Sequence, residues 1–147
     1  MSAQPRFDHV GLNVADLAAM VAWYAEALDL KVEFEFALPE FAFTGAMLIS
    51  PEGYRVELLH RDGSSPGLQA GSPVDAALTR GYSHFALDVA DVVASHAALL
   101  AAGAADRMSP RPSPEPGVRM AYVADPEGNL IELLDRTAAL TPERLRS

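Results

Sequence analysis

Apolar and polar residues alternate from His9 to Val14, with Val10, Leu12 and Val14 on one side and His9, Gly11 and Asn13 on the other. A period of two marks a strand buried on one face. The alternation returns from His84 to Val89, where Phe85, Leu87 and Val89 oppose His84, Ala86 and Asp88. Asp16 and Asp91 follow at N-cap positions, and the Ala-rich stretches behind them predict helices reaching about Leu28 and Ala102, the second ended by Gly103. Trp23 and Tyr24 are expected to pack as core residues of the first helix. Three more apolar segments come next, Val32 to Ala37, Phe43 to Ile49 and Tyr54 to Leu59, with counterparts ending in Arg119 to Ala124 and Asn129 to Leu134. Ser50-Pro51-Glu52-Gly53 and Asp125-Pro126-Glu127-Gly128 supply the turn before each last strand. Pro110, Pro112, Pro114 and Pro116 predict that the second strand of the later copy is short or at an edge, with a loop after it.

The element order is thus β-α-β-β-β, twice, and the residues themselves repeat. His9-Val-Gly-Leu-Asn-Val-Ala-Asp16 matches His84-Phe-Ala-Leu-Asp-Val-Ala-Asp91, and Pro51-Glu-Gly-Tyr-Arg-Val-Glu-Leu-Leu59 matches Pro126-Glu-Gly-Asn-Leu-Ile-Glu-Leu-Leu134, both at an offset of 75. The shared letters include His, Asp, Pro, Glu and Gly, which common Ala-rich composition does not supply. The organisation expected is a single domain over 1–147, with modules at 7–60 and 81–135, a Gly/Ser/Pro-rich linker at 61–80 and a C-terminal tail or short helix at 136–147.

A chain of 147 residues, half of them apolar and 21% charged, has room for a packed core and resembles no disordered tail. With 11 Lys and Arg against 20 Asp and Glu, the net charge of −9 argues against nucleic acid as a partner. The N-terminal residues show no apolar signal-like segment, and no run of about 18 apolar residues goes without charge, so a cytoplasmic protein without a membrane span is expected. The chain has no cysteine, which excludes disulfides, thiolate metal sites and cysteine nucleophiles. Any metal must sit on nitrogen and oxygen.

Four residues meet that requirement. Glu57 and Glu132 are equivalent by the repeat, as are His9 and His84, and each His precedes its Glu by 48 positions. A lone histidine on a strand would be read as a satisfied strand-end residue. Two His/Glu pairs kept by the repeat, where most other positions diverged, are read as ligands. Two imidazoles and two carboxylates suit one divalent ion, Zn, Ni, Co, Mn or Fe(II), and a six-coordinate ion keeps two positions for water or substrate. His60, on the opposite strand face from Glu57, and His96, within the second helix where the first copy has Val21, are expected at the surface.

The chain resembles the vicinal oxygen chelate superfamily, which includes glyoxalase I, methylmalonyl-CoA epimerase, extradiol dioxygenases and bleomycin resistance proteins. The resemblance runs from Phe7 to Asp135 and is carried by Asp8-His9-Val10-Gly11-Leu12, Trp23-Tyr24, Val56-Glu57-Leu58, Ser83-His84-Phe85-Ala86-Leu87 and Asp125-Pro126-Glu127-Gly128-Asn129-Leu130-Ile131-Glu132-Leu133. It implies an α+β fold in which two βαβββ modules form a cupped mixed sheet around a metal site. It places the four ligand positions on His9, Glu57, His84 and Glu132, a set most similar to that of glyoxalase I. Keeping all four favours catalysis over sequestration.

The resemblance further implies a metal-dependent lyase or isomerase, in which a base removes a proton and the ion stabilises the resulting enediolate, with Glu132 as base and Glu57 as its symmetry-related partner. The alternatives are an Fe(II) dioxygenase using His9, His84 and Glu132, and a non-catalytic drug- or metabolite-binding protein. Gly11 and Ala86 leave space beside the ion, while strand parity puts Asn13, Arg55, Tyr82 and Asp88 along the walls. Glutathione-using relatives carry an Arg four residues after the first ligand His; this chain has Asn13, and Arg61 lies four after Glu57. An amide does not replace a cationic fork, which puts glutathione in question as the thiol. A small-molecule substrate and a homodimer, with the ligands drawn from one chain or from two, complete the expectation.

Overall fold

The computed structural model describes residues 3–140, in two compact units that divide between Ser65 and Pro66. Unit 1 runs β1 (His9–Asn13), α1 (Leu17–Ala27), β2 (Lys31–Leu38), a single 3-10 turn, β3 (Phe43–Ile49) and β4 (Arg55–Arg61). Unit 2 begins with a short helix, α2 (Pro73–Ala76), and repeats the order: β5 (His84–Asp88), α3 (Val92–Ala101), β6 (Ala105–Pro112), β7 (Arg119–Ala124) and β8 (Leu130–Leu134), closed by α4 (Arg136–Ala139). The strands form a four-stranded mixed sheet in each unit, in the orders β1-β4-β3-β2 and β5-β8-β7-β6. The α+β class and the doubled βαβββ order stand. In each unit the first strand pairs parallel with the last, and the other pairs are antiparallel. A parallel pair needs a long crossover, which each α-β-β stretch supplies. The part of the expected tail from Thr141 onward lies outside the described residues.

The helices start where their caps put them. Asp16 accepts from the Ala19 amide and Asp91 from the Ala94 amide, both at 3.0 Å. Each such bond satisfies an N–H that the first helical turn leaves without an intrahelical partner. Each helix then covers one face of its own sheet. In unit 1, Met20 and Tyr24 are buried with Leu48, Val56 and Leu58; in unit 2, Val92 and Leu99 are buried with Val123, Ile131 and Leu133. Tyr24 is fully buried and Trp23 half-buried, with ring centroids 4.9 Å apart in an edge-to-face arrangement. Removing an aliphatic side chain from such a core costs about 2–5 kcal/mol.

The turns before β4 and β8 close on Gly53 and Gly128, whose φ angles of +96° and +90° favour glycine. Asp125 organises the second turn by accepting from the amides of Glu127 and Asn129 at 2.9 Å. The proline-rich β6 is an edge strand, as expected, but eight residues long. Two register shifts, at Asp106/Met108 and Met108/Arg111, accommodate it, since bulges and edges relieve proline of a ladder bond it cannot donate. The segment ahead of β5 packs on unit 2: Ala70 and Ala76 are buried with Ala124 and Leu130.

Candidate functional site

The faces not covered by α1 and α3 carry the His/Glu pairs. In unit 1, β1 aligns Gly11 with Glu57 and β3 aligns Met47 with the same Glu57. In unit 2 the corresponding partners of Glu132 are Ala86 on β5 and Tyr122 on β7. His9 and Gly11, and likewise His84 and Ala86, share a face by parity, so each His lies beside its Glu. Nε2 of His9 is 3.6 Å from Glu57 Oε1, and Nε2 of His84 is 3.1 Å from Glu132 Oε2. A Cβ built on Gly11 would stand 3.6 Å from that Glu57 oxygen, so the carboxylate lies over the glycine.

On its far side each imidazole is also held. Nδ1 of His9 is hydrogen-bonded to the Asp8 carboxylate at 2.6 Å, and Nδ1 of His84 to the Ser83 hydroxyl at 2.9 Å. A neutral imidazole that donates from Nδ1 keeps its lone pair on Nε2, the tautomer a metal ligand needs. The hydrogen bond from His9 holds the Asp8 carboxyl below its ordinary range. Each pair therefore fits half of a nitrogen/oxygen set for a divalent ion. Among the described residues no three His, Asp or Glu side chains gather at one point.

Tyr122 was not foreseen. Its hydroxyl is 3.4 Å from Nε2 of His84, and its ring meets that imidazole edge-on at 5.0 Å between centroids and 82° between planes. Burial pushes its hydroxyl up to about 12, with the negative charge of Glu132 acting in the same direction, so it is a donor at neutral pH. The repeat places Met47 opposite Tyr122, and only strand register shows that both face a glutamate. Tyr122 and Glu132 also line an open groove of about 480 Å³, together with Pro73, Val74, Met108 and Met120.

The expected wall residues fall in both units, Asn13 and Arg55 in the first and Tyr82 and Asp88 in the second. Asn13 ends β1 and is exposed. Arg55, across from His9, forks onto Glu33, with Nε donating at 2.6 Å and Nη2 at 3.1 Å. That guanidinium holds the Glu33 carboxyl below its ordinary range. Asp88 accepts from the Thr137 amide and hydroxyl. Tyr82 is fully exposed, two residues before His84. Two other expectations need correction. His96 is buried, not on the surface, because its Nε2 meets Asp106 at 3.0 Å, and Ser109 donates to the other oxygen of that carboxylate at 2.6 Å. His60 is half-buried, since its Nδ1 donates to the carbonyl of Val14 at 2.9 Å, where β1 ends.

A model of the Glyoxalase/Bleomycin resistance protein/Dioxygenase superfamily matches residues 6–133. A putative lactoylglutathione lyase of Brassica oleracea var. gemmifera is 33% identical over 143 residues, covering 95% of this chain and 47% of the relative. This chain therefore spans about half the length of that plant protein. A probable lactoylglutathione lyase of Vibrio cholerae is 26% identical over 137 residues, covering 91% of this chain and 93% of the relative. Among solved structures, the trypanothione-dependent glyoxalase I of Leishmania major superposes with a TM-score of 0.68 at 27% identity, covering 97% of this chain and 94% of that one.

Proposed function

Because the chain belongs to the glyoxalase/bleomycin resistance protein/dioxygenase superfamily, we propose that it is a glyoxalase-like, metal-dependent lyase or isomerase acting by proton abstraction. The observation that carries this reading is the pair of equivalent His/Glu contacts, each with Nε2 turned to its glutamate. His9, Glu57, His84 and Glu132 would hold one divalent ion, Zn, Ni, Co, Mn or Fe(II). When bound, that ion supplies a Lewis acid that makes a C–H bond next to a carbonyl oxygen more acidic. Glu132 takes the proton on its carboxylate and returns it to the neighbouring carbon, with Glu57 as its counterpart in the other unit. Asp8, accepting from Nδ1, keeps His9 in the ligating tautomer, and the Ser83 hydroxyl can accept from Nδ1 of His84 in the same way. Asn13, Arg55, Tyr82 and Asp88 are proposed as the residues that meet the remainder of the substrate.

The relatives named above support a substrate that is a small-molecule thiol adduct of a 2-oxoaldehyde. Asn13 in place of Arg favours a thiol other than glutathione, and the Leishmania relative is a precedent for trypanothione. The test is elemental analysis of the purified protein, followed by assay of methylglyoxal adducts of glutathione and of trypanothione. The expected result is metal-dependent isomerisation that His84→Ala and Glu132→Ala abolish. Metal binding by those two variants as tight as that of the wild type would overturn the reading. A homodimer belongs to the same proposal, and light scattering in solution checks it.

A further inference from the structure

The two His/Glu pairs are related by the repeat, yet their cross-strand neighbours differ in kind. Glu57 faces Met47, whose thioether offers no proton to a carboxylate. Glu132 faces Tyr122, whose hydroxyl reaches to 3.4 Å from His84 Nε2 while its ring buttresses the imidazole edge-on at 5.0 Å. The His-to-Glu distance is 3.1 Å in the pair with the tyrosine and 3.6 Å in the pair without it. Resting on the metal-site reading above, we propose that Tyr122 is a positioning residue that holds His84 and Glu132 in ligating orientation, and that unit 1 has no equivalent. A hydroxyl donor beside a ligand carboxylate fixes which oxygen lone pair points away from it. A ring packed against the imidazole removes the rotation about χ2 that would turn Nε2 aside. Both effects lower the ordering cost of binding an ion, and such outer partners are typically worth ~10–100-fold in metal affinity. Tyr122 therefore makes unit 2 the better-organised half of the ligand set.

The probe is cobalt(II) alone, titrated into the metal-free full chain and followed by its visible absorption. Tyr122→Phe keeps the ring and loses the hydroxyl; Tyr122→Met copies unit 1. We expect Tyr122→Phe to weaken cobalt by about tenfold and to change the shape of the absorption bands, and Tyr122→Met to weaken it by up to ~100-fold. A purely structural role would lower the melting temperature without moving the bands. Wild-type affinity and bands in Tyr122→Phe, in a protein whose His84→Ala and Glu132→Ala variants lose cobalt, would overturn this inference alone. Cobalt retained by His84→Ala and Glu132→Ala would overturn the metal-site reading beneath it.

Discussion

In unit 1 the imidazole of His9 is anchored by a carboxylate, Asp8, and Glu57 beside it faces a methionine. In unit 2 the anchor of His84 is a hydroxyl, Ser83, and Glu132 faces a tyrosine. The surroundings differ as well. Next to the unit 1 pair lies an aromatic strip, Phe34, Phe36 and Phe43, with ring centroids 6.5 and 6.0 Å apart and the Phe36 ring resting where a Cβ on Gly45 would stand. The unit 2 face instead has α2 packed over one end and an open groove beside Glu132. The repeat has kept the atoms that would touch an ion and has let everything that orients those atoms diverge. This is the pattern expected when ligand identity is constrained by the metal's preference for nitrogen and oxygen while the orienting groups have several chemical solutions.

Four experiments sharpen or break that comparison. The largest effect is expected from the ligands themselves. His9→Ala, Glu57→Ala, His84→Ala and Glu132→Ala should each weaken cobalt(II) by more than ~100-fold, the upper end of what an outer partner costs. Variants in only one unit having any effect would show the pairs to be unrelated sites. Next come the cores, which the comparison holds to be alike: Leu58→Ala and its repeat counterpart Leu133→Ala, both buried, should each cost about 2–5 kcal/mol in urea unfolding. A third and smaller effect concerns substrate. Asn13→Arg should lower KM for the glutathione adduct by about tenfold, the scale of one charge-assisted hydrogen bond, and leave kcat close to its starting value.

The smallest effect is confined to unit 2. Hydrogen bonds from Ser109 and then His96 hold the Asp106 carboxyl below its ordinary value of 3.8. A carboxyl with a lowered folded pKa contributes stability that is complete above the unfolded value and is lost as pH falls through the folded one. Ser109→Ala should therefore reduce stability at neutral pH by less than ~1 kcal/mol, because the pair is partly screened by solvent, and the difference from wild type should fade as pH falls through the lowered value of the folded carboxyl. A loss that persists unchanged into acid would mean that Ser109 acts through packing.

Much of this was legible before any coordinates. The β-α-β-β-β order came from alternation and caps, and both N-cap aspartates and the position of Gly103 agree with the structure. The pairing of His9 with Glu57 and of His84 with Glu132 followed from parity and from the repeat. Tyr122 escaped because facing a glutamate is a property of strand register, and register is set by hydrogen bonds to a segment far along the chain. His96 escaped for a related reason. A histidine in an Ala-rich helix looks solvated unless its carboxylate is known, and Asp106 reaches it from the bulged edge strand β6, whose path no local pattern reveals.

Residue order alone was enough for what depends on neighbours within a few positions: the strands, the helix starts, the turns and the side of each strand on which a ligand falls. Folding decided what depends on distant segments: the order in which strands pair within each sheet, the packing of Ala70 and Ala76, in the stretch that reads as linker, against Ala124 and Leu130, and the placing of Tyr122 across from Glu132. Local preferences act through fixed backbone geometry, so they are written in the periodicity. Cross-strand neighbours depend on register and bulges, which emerge only when the whole sheet closes its hydrogen bonds at once.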